Sequence, residues 1–152
     1  MFDKNNAIKI CELFILSNNK IVDYKSSHKE WADKYSSNSF YNSDHLLKLS
    51  KDPKVNFFIW SHVAFDLTEK IVLDDRKSIS AFSDGFTICF DSNNERIVIS
   101  MGVDLKDDIE SFVTSHRDKF ETFIRDVKKT YANNKKNELW DVLFRLYTNC
   151  QT

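Results

Sequence analysis

A serine stands directly before a histidine three times in this chain, at Ser27-His28, Ser61-His62 and Ser115-His116. The two residue types make a nucleophile and a general base only when the hydroxyl reaches the imidazole and a third group orients the ring. Neighbours on a helix diverge by about 100°, so each serine is expected to point away from its histidine. No G-x-S-x-G turn surrounds any of the pairs, and a serine hydrolase is not expected. His62, Asp66 and Glu69 recur at spacings of four and three, which on a helix places three metal-ligating types on one side. They lack an H-E-x-x-H motif, and the solvent face of any amphipathic helix has the same spacing, so no metal is expected. His28 and His116 lie on apolar stripes, as core-edge histidines holding one hydrogen bond do.

Tyr24, Trp31 and Tyr35, with Lys25, Lys29 and Lys34 beside them, have the residue types of a platform that stacks nucleobases. Their spacing of seven and four residues is also that of a helix packing an aromatic face on the core, which is expected instead. The chain carries 22 basic and 23 acidic residues, so no global field draws it to nucleic acid or to an anionic membrane. Two glycines and one proline leave no phosphate-cradling loop to be written, and no cofactor is expected. Cys11, Cys89 and Cys150 show no C-x-x-C spacing and are expected to be reduced, structural thiols. The apolar runs fall far short of the roughly 20 residues of a spanning helix, and the N-terminus lacks a signal-like region. A cytoplasmic protein is expected.

The elements that position these residues follow from periodicity. Residues 7–16, AIKICELFIL, carry apolar side chains at helical offsets after Asp3, Asn5 and Asn6 as candidate caps, which predicts a first helix. Asn18-Asn19 breaks it, and Ile21, Tyr24, His28, Trp31 and Tyr35 predict a second. The polar stretch 36–44 reads as a loop, with Ser43 or Asp44 capping a short helix HLLKLS. Asp52-Pro53 is a helix start, although VNFFIW and HVAFDL would also suit strands. Ser78–Phe82, Phe86–Asp91 and Arg96–Met101 alternate as strands do, joined by SDG and SNNE, with Gly85 at a left-handed position. Ile71–Leu73 adds a fourth strand through the turn DDRK. A long amphipathic helix follows Asp104, with Ile109, Phe112, Phe120, Phe123, Val127 and Tyr131 on one stripe, and a last helix covers 138–147. The predicted fold is α+β: a mostly helical single domain, residues 1–152, with a small antiparallel β-meander at about residues 71–101 packed by N- and C-terminal helices.

In size, in its polar, glycine-poor composition and in its lack of catalytic motifs, the chain resembles the small immunity proteins of bacterial toxin systems, of the contact-dependent growth inhibition or bacteriocin type. The resemblance implies a non-enzymatic protein that binds and neutralises one cognate toxin domain, such as a nuclease, without contacting nucleic acid or membrane itself. On that reading Asp74, Asp75, Asp84, Asp91, Glu95, Asp107 and Asp108 face the toxin's basic residues, with Phe40 and Tyr41 as apolar anchors. A secretion chaperone or adaptor that binds a client protein is the alternative. An enzyme built around His62 and its neighbouring acids is a third.

Overall fold

The computed structural model describes residues 7–106 and 108–149. The fold is α+β, as the sequence predicts, but the sheet is larger and the N-terminal third is differently built. Among the described residues five strands, β1 (Ile8–Ser17), β2 (Lys20–Ser26), β3 (Phe57–Ile59), β4 (Asp84–Ser92) and β5 (Glu95–Val103), form one antiparallel sheet in the order β2-β1-β5-β4-β3. The helices are α1 (Lys29–Ser37), α2 (His45–Ser50), α3 (Ile71–Ser80), α4 (Ile109–Ser115), α5 (Arg117–Ala132) and α6 (Leu139–Asn149).

The first predicted helix is β1, an inner strand between β2 and β5. Its side chains are buried on both faces of the sheet, and two-sided burial replaces alternation with a continuous apolar run that periodicity alone does not separate from a helix. Asn18 and Asn19 do not merely interrupt. Both adopt positive φ, 52° and 64°, the geometry of a two-residue hairpin turn, and they fold β2 back along β1 from Ser17 opposite Lys20. Asn93 and Asn94, at 51° and 64°, do the same between β4 and β5.

Alternation along the strands divides the core in two. Leu13 and Ile15 of β1, Ile97, Ile99 and Met101 of β5, and Phe86 and Ile88 of β4 face one side. There Ile109, Phe112, Phe120, Phe123, Val127, Tyr131, Leu139 and Leu143 of α4, α5 and α6 cover them. The helical stripe read from the sequence is thus the covering face, broken at Ser115-His116 where α4 ends and α5 begins. The other side carries Ile10, Phe14, Leu16 and Val98 beneath α1, α2 and α3. It also carries the buried polar residues Glu12, Thr87, Arg96 and Ser100.

Residues 71–80 are helix α3, not the expected strands at Ile71–Leu73 and Ser78–Phe82. The β-branched start suits either state, but Val72, Arg76 and Ser80 are the buried positions, and a spacing of four is one helix face. Residues after Pro53 do not continue into a helix. Arg96 holds that turn against the sheet through the carbonyls of Ser50 (2.5 Å), Asp52 (2.9 Å) and Val55, which leaves Phe57–Ile59 free to join the sheet edge as β3.

Gly85 is not left-handed either, since neither glycine has positive φ. It lies within β4 because the ring of Trp60 rests on it: a Cβ there would stand 2.2 Å from Cε3 of Trp60. Gly85→Ala is therefore expected to destabilise the fold by about 2–3 kcal/mol. Lys25→Ala on the exposed edge is expected to shift it by less than about 0.5 kcal/mol. Urea denaturation of the two variants measures both.

Candidate functional site

Under α1, α2 and α3 the sheet presents a buried charge cluster. Period-two alternation turns Glu12 of β1 into this layer, where it is fully buried. The α3 spacing brings Arg76 down onto it, with Nε donating to Glu12 Oε1 at 2.7 Å. A second arm, Nη2, donates to Asp44 Oδ2 at 3.0 Å. Asp44 is the predicted cap of α2, and its Oδ1 accepts from the amides of Leu46 (3.1 Å) and Leu47 (3.4 Å). Aromatic donors complete both carboxylates: the Tyr24 hydroxyl (2.7 Å) and Trp31 Nε1 (3.1 Å) donate to Glu12 Oε2, and the Tyr35 hydroxyl donates to Asp44 Oδ2 (2.9 Å).

The guanidinium carbon lies 5.0 Å from the Trp31 ring centre, 5.9 Å from that of Tyr35 and 6.0 Å from that of Trp60, distances at which a ring face attracts a cation. Arg76 Nη1 has no hydrogen-bond partner among the described residues. The predicted aromatic stripe is thus an inward-facing one, shared between β2 and α1 rather than carried on a single helix. Burial alone would push the Arg76 guanidinium down, but the charges of Glu12 and Asp44 outweigh it and hold it above its ordinary value. Burial raises Tyr24 and Tyr35 well above the usual phenol range, and the negative charge of Glu12 on the first and of Asp44 on the second adds to the effect.

Outside this cluster, and sharing Tyr24, Tyr35 and Asp44 with it, lies a cleft of about 1030 Å³. Its walls come from the start of β2 (Lys20, Ile21), the turn before α2 (Tyr41) and α2 itself (Leu47, Lys48), with His45 and Glu69 at one side. His45 Nδ1 lies 2.7 Å from Glu69 Oε2. The Tyr24 and Tyr35 rings stack at 4.9 Å.

The other expected chemistry disperses. His62 Nε2 lies 2.5 Å from Glu110 Oε1 on α4, while Asp66 and Glu69 bond each other's backbone amides. No group of three metal-ligating side chains occurs among the described residues. His28 caps α1, its Nδ1 accepting from the Trp31 amide at 3.3 Å. Ser115 does approach its histidine, Oγ to Nδ1 at 3.1 Å, contrary to the expected divergence, because α4 ends there and the regular fan of side chains is broken. Both groups also meet the Phe112 carbonyl, at 3.1 Å and 2.9 Å, which is helix-end bonding. Cys11 and Cys89 are buried free thiols.

The acids expected to bind a partner fall in separate places. Asp74 and Asp75 lie on α3, not in a turn of the meander, with Asp75 3.8 Å from Lys34 Nζ. Asp84 starts β4 and accepts from the Ser61 and Gly85 amides. Asp91, seven residues along the same strand and so roughly 23 Å away, pairs with Arg96, and Glu95 accepts from the Tyr131 hydroxyl. Asp108 caps α4, and the Ser111 amide it accepts from holds its carboxyl below the usual range. Asp107 lies outside the described residues. Phe40 stacks on Trp31 at 5.6 Å, and Tyr41, 45% exposed, stands on the cleft rim.

No family model matches this chain, and no curated protein does. Among solved structures it is similar to an N-acylhomoserine-lactone-dependent LuxR-family transcription factor, CepR2 of Burkholderia cenocepacia. The TM-score is 0.55 at 13% identity, over 73% of this chain and 66% of that one, just under two thirds of its length. At that identity the likeness is one of fold. No helix among the described residues is long and apolar enough to cross a membrane.

Two outcomes follow from the cluster. Arg76→Met leaves Glu12 and Asp44 as uncompensated buried charges, and is expected to destabilise the protein by about 3–5 kcal/mol in chemical denaturation. The phenols give a pH dependence. Tyr24 and Tyr35 have folded values above the unfolded value of about 10, so the unfolded chain releases their protons first. Their contribution to stability is complete below about pH 10 and is lost as pH rises above it. Tyr24→Phe is accordingly expected to lower the tyrosinate absorbance near pH 11 in denaturant and to leave it unchanged in the native protein.

Proposed function

We propose that this chain is a binding domain rather than an enzyme, and that the cleft beside the Arg76 cluster holds a small molecule. The observation that carries the proposal is the pairing of a roomy cleft with a rigid floor, fixed from beneath by a buried polar network. Ligand sites are typically concave and largely preformed, with a few fixed polar groups among apolar and aromatic walls. Here Tyr24, Tyr35 and Asp44 belong at once to the cleft and to the buried network, so the floor is locked by bonds that a ligand does not need to reorganise. A regulator named for its dependence on N-acylhomoserine lactone shares the fold, which supports the reading. Reduced buried thiols at Cys11 and Cys89 suit the cytoplasmic setting that we propose with it.

A toxin-immunity or chaperone role keeps one specific support. Leu67 in the turn before α3 and Ile71 at its start are 90% and 55% exposed, just before the acids Asp74 and Asp75, and such a mixed patch fits a protein partner. The two readings part in a single experiment, an amide NMR screen of the labelled protein against a small-molecule library. Hits that shift amides of residues 20–24, 35 and 41–48 are expected. Hits that avoid these residues, together with a stoichiometric protein partner whose binding is lost with Leu67→Glu, would replace the ligand reading with the protein-partner one.

A further inference from the structure

Resting on the reading of the cleft as a ligand site, we infer that its ligand is an anionic amphiphile: an apolar acyl or aromatic body carrying a carboxylate or phosphate head. The charges around the cleft are not balanced. Lys20, Lys48 and Lys51 line it, and among the described residues none of the three forms an ion pair, whereas Lys29 and Lys34 elsewhere on the surface pair with Asp33 and Asp75. The acids of the cleft are both engaged. Asp44 turns inward to Arg76, Tyr35 and the first amides of α2, and Glu69 is held by His45 and by the Asp66 amide. A chain of formal net charge −1 therefore keeps unpaired lysines at the rim of this cleft while its carboxylates are engaged, and a local excess of one sign of charge concentrates the opposite sign.

The floor selects the rest of the molecule. The hydroxyl of Tyr24 points into the buried network, so the accessible part of its half-buried ring offers carbon surface to an occupant, and half-buried Ile21 and exposed Tyr41 continue that surface. A simple anion would fill little of about 1030 Å³, a volume at the upper end of that of drug-sized ligand sites.

Matched pairs that differ only in charge give the test. N-octanoyl-homoserine lactone is set against its ring-opened carboxylate, octanamide against octanoate, and octanol against octyl phosphate, with cleft amides followed by NMR titration. The charged member of at least one pair is expected to bind about tenfold or more tightly than its neutral partner. That difference should shrink as salt is raised. It should also vanish in the Lys48→Glu, Lys51→Glu double variant, whose spectrum away from the cleft reports that it is folded. Neutral members binding as tightly as the charged ones would overturn the charge inference while leaving the cleft as a ligand site. Failure of every member to shift the cleft amides would overturn the ligand-site reading itself. Carboxylate against phosphate preference identifies the head group.

Discussion

One guanidinium, buried between two carboxylates and three aromatic rings, ties together the elements on one face of the sheet. Glu12 comes from the inner strand β1, Asp44 from the cap of α2 and Arg76 from the middle of α3, so their mutual bonds fix three segments far apart in sequence. A buried charge is costly unless its lone pairs and protons are satisfied. Here Tyr24, Trp31, Tyr35 and the amides of Leu46 and Leu47 supply the donors that the carboxylates need. An apolar cluster would stabilise this layer at least as well. What the ions add is direction, because each bond can be made in only one arrangement of β1, α2 and α3.

The two faces of the sheet therefore follow different rules. Beneath α4, α5 and α6 the buried side chains among the described residues are apolar except for the Tyr131 hydroxyl, which donates to Glu95, and this packing gives stability without marking a position for chemistry. Beneath α1, α2 and α3 the sheet surface is polar at Glu12, Thr87, Arg96 and Ser100. Three of these four groups position something above the sheet: Glu12 holds Arg76, Thr87 meets the Trp60 indole at 2.9 Å, and Arg96 fastens the turn after α2, while Ser100 bonds Thr87 within the sheet. The cleft opens on this second face, where walls and floor are fixed by directional bonds.

The legibility of the sequence varied along the same division. The hairpin of β4 and β5, the α5 stripe and the Asp44 cap were readable because each obeys a local rule of alternation, amphipathic spacing or capping. Inner strand β1 was not, since burial on both faces erases the period of two that marks a strand. The turn role of Asn18-Asn19 was hidden for the same reason: with β1 read as a helix, two asparagines look like a break instead of a hairpin. Glu12 and Arg76 went unnoticed as a pair across 64 residues, which no local pattern links. Their signal was an acid in the middle of the apolar run IKICELFIL and an arginine in register with Val72 and Ser80, because charged residues are rarely buried without a partner. The acidic residues between 74 and 108 look like one surface only when the loops are imagined on a single meander. Making 71–80 a helix on the far side of the sheet separates them.

The cluster requires Arg76 to be buried and held, and the Arg76 side-chain Nε proton reports that directly. In an NMR spectrum of the labelled protein, the Arg76 Nε–H resonance is expected to be resolved and slow to exchange with solvent, with a cross-peak to the Trp31 indole proton. An Arg76 Nε–H that exchanges as fast as those of exposed arginines such as Arg117 would contradict it. The floor of the cleft would then have no fixed charge cluster beneath it.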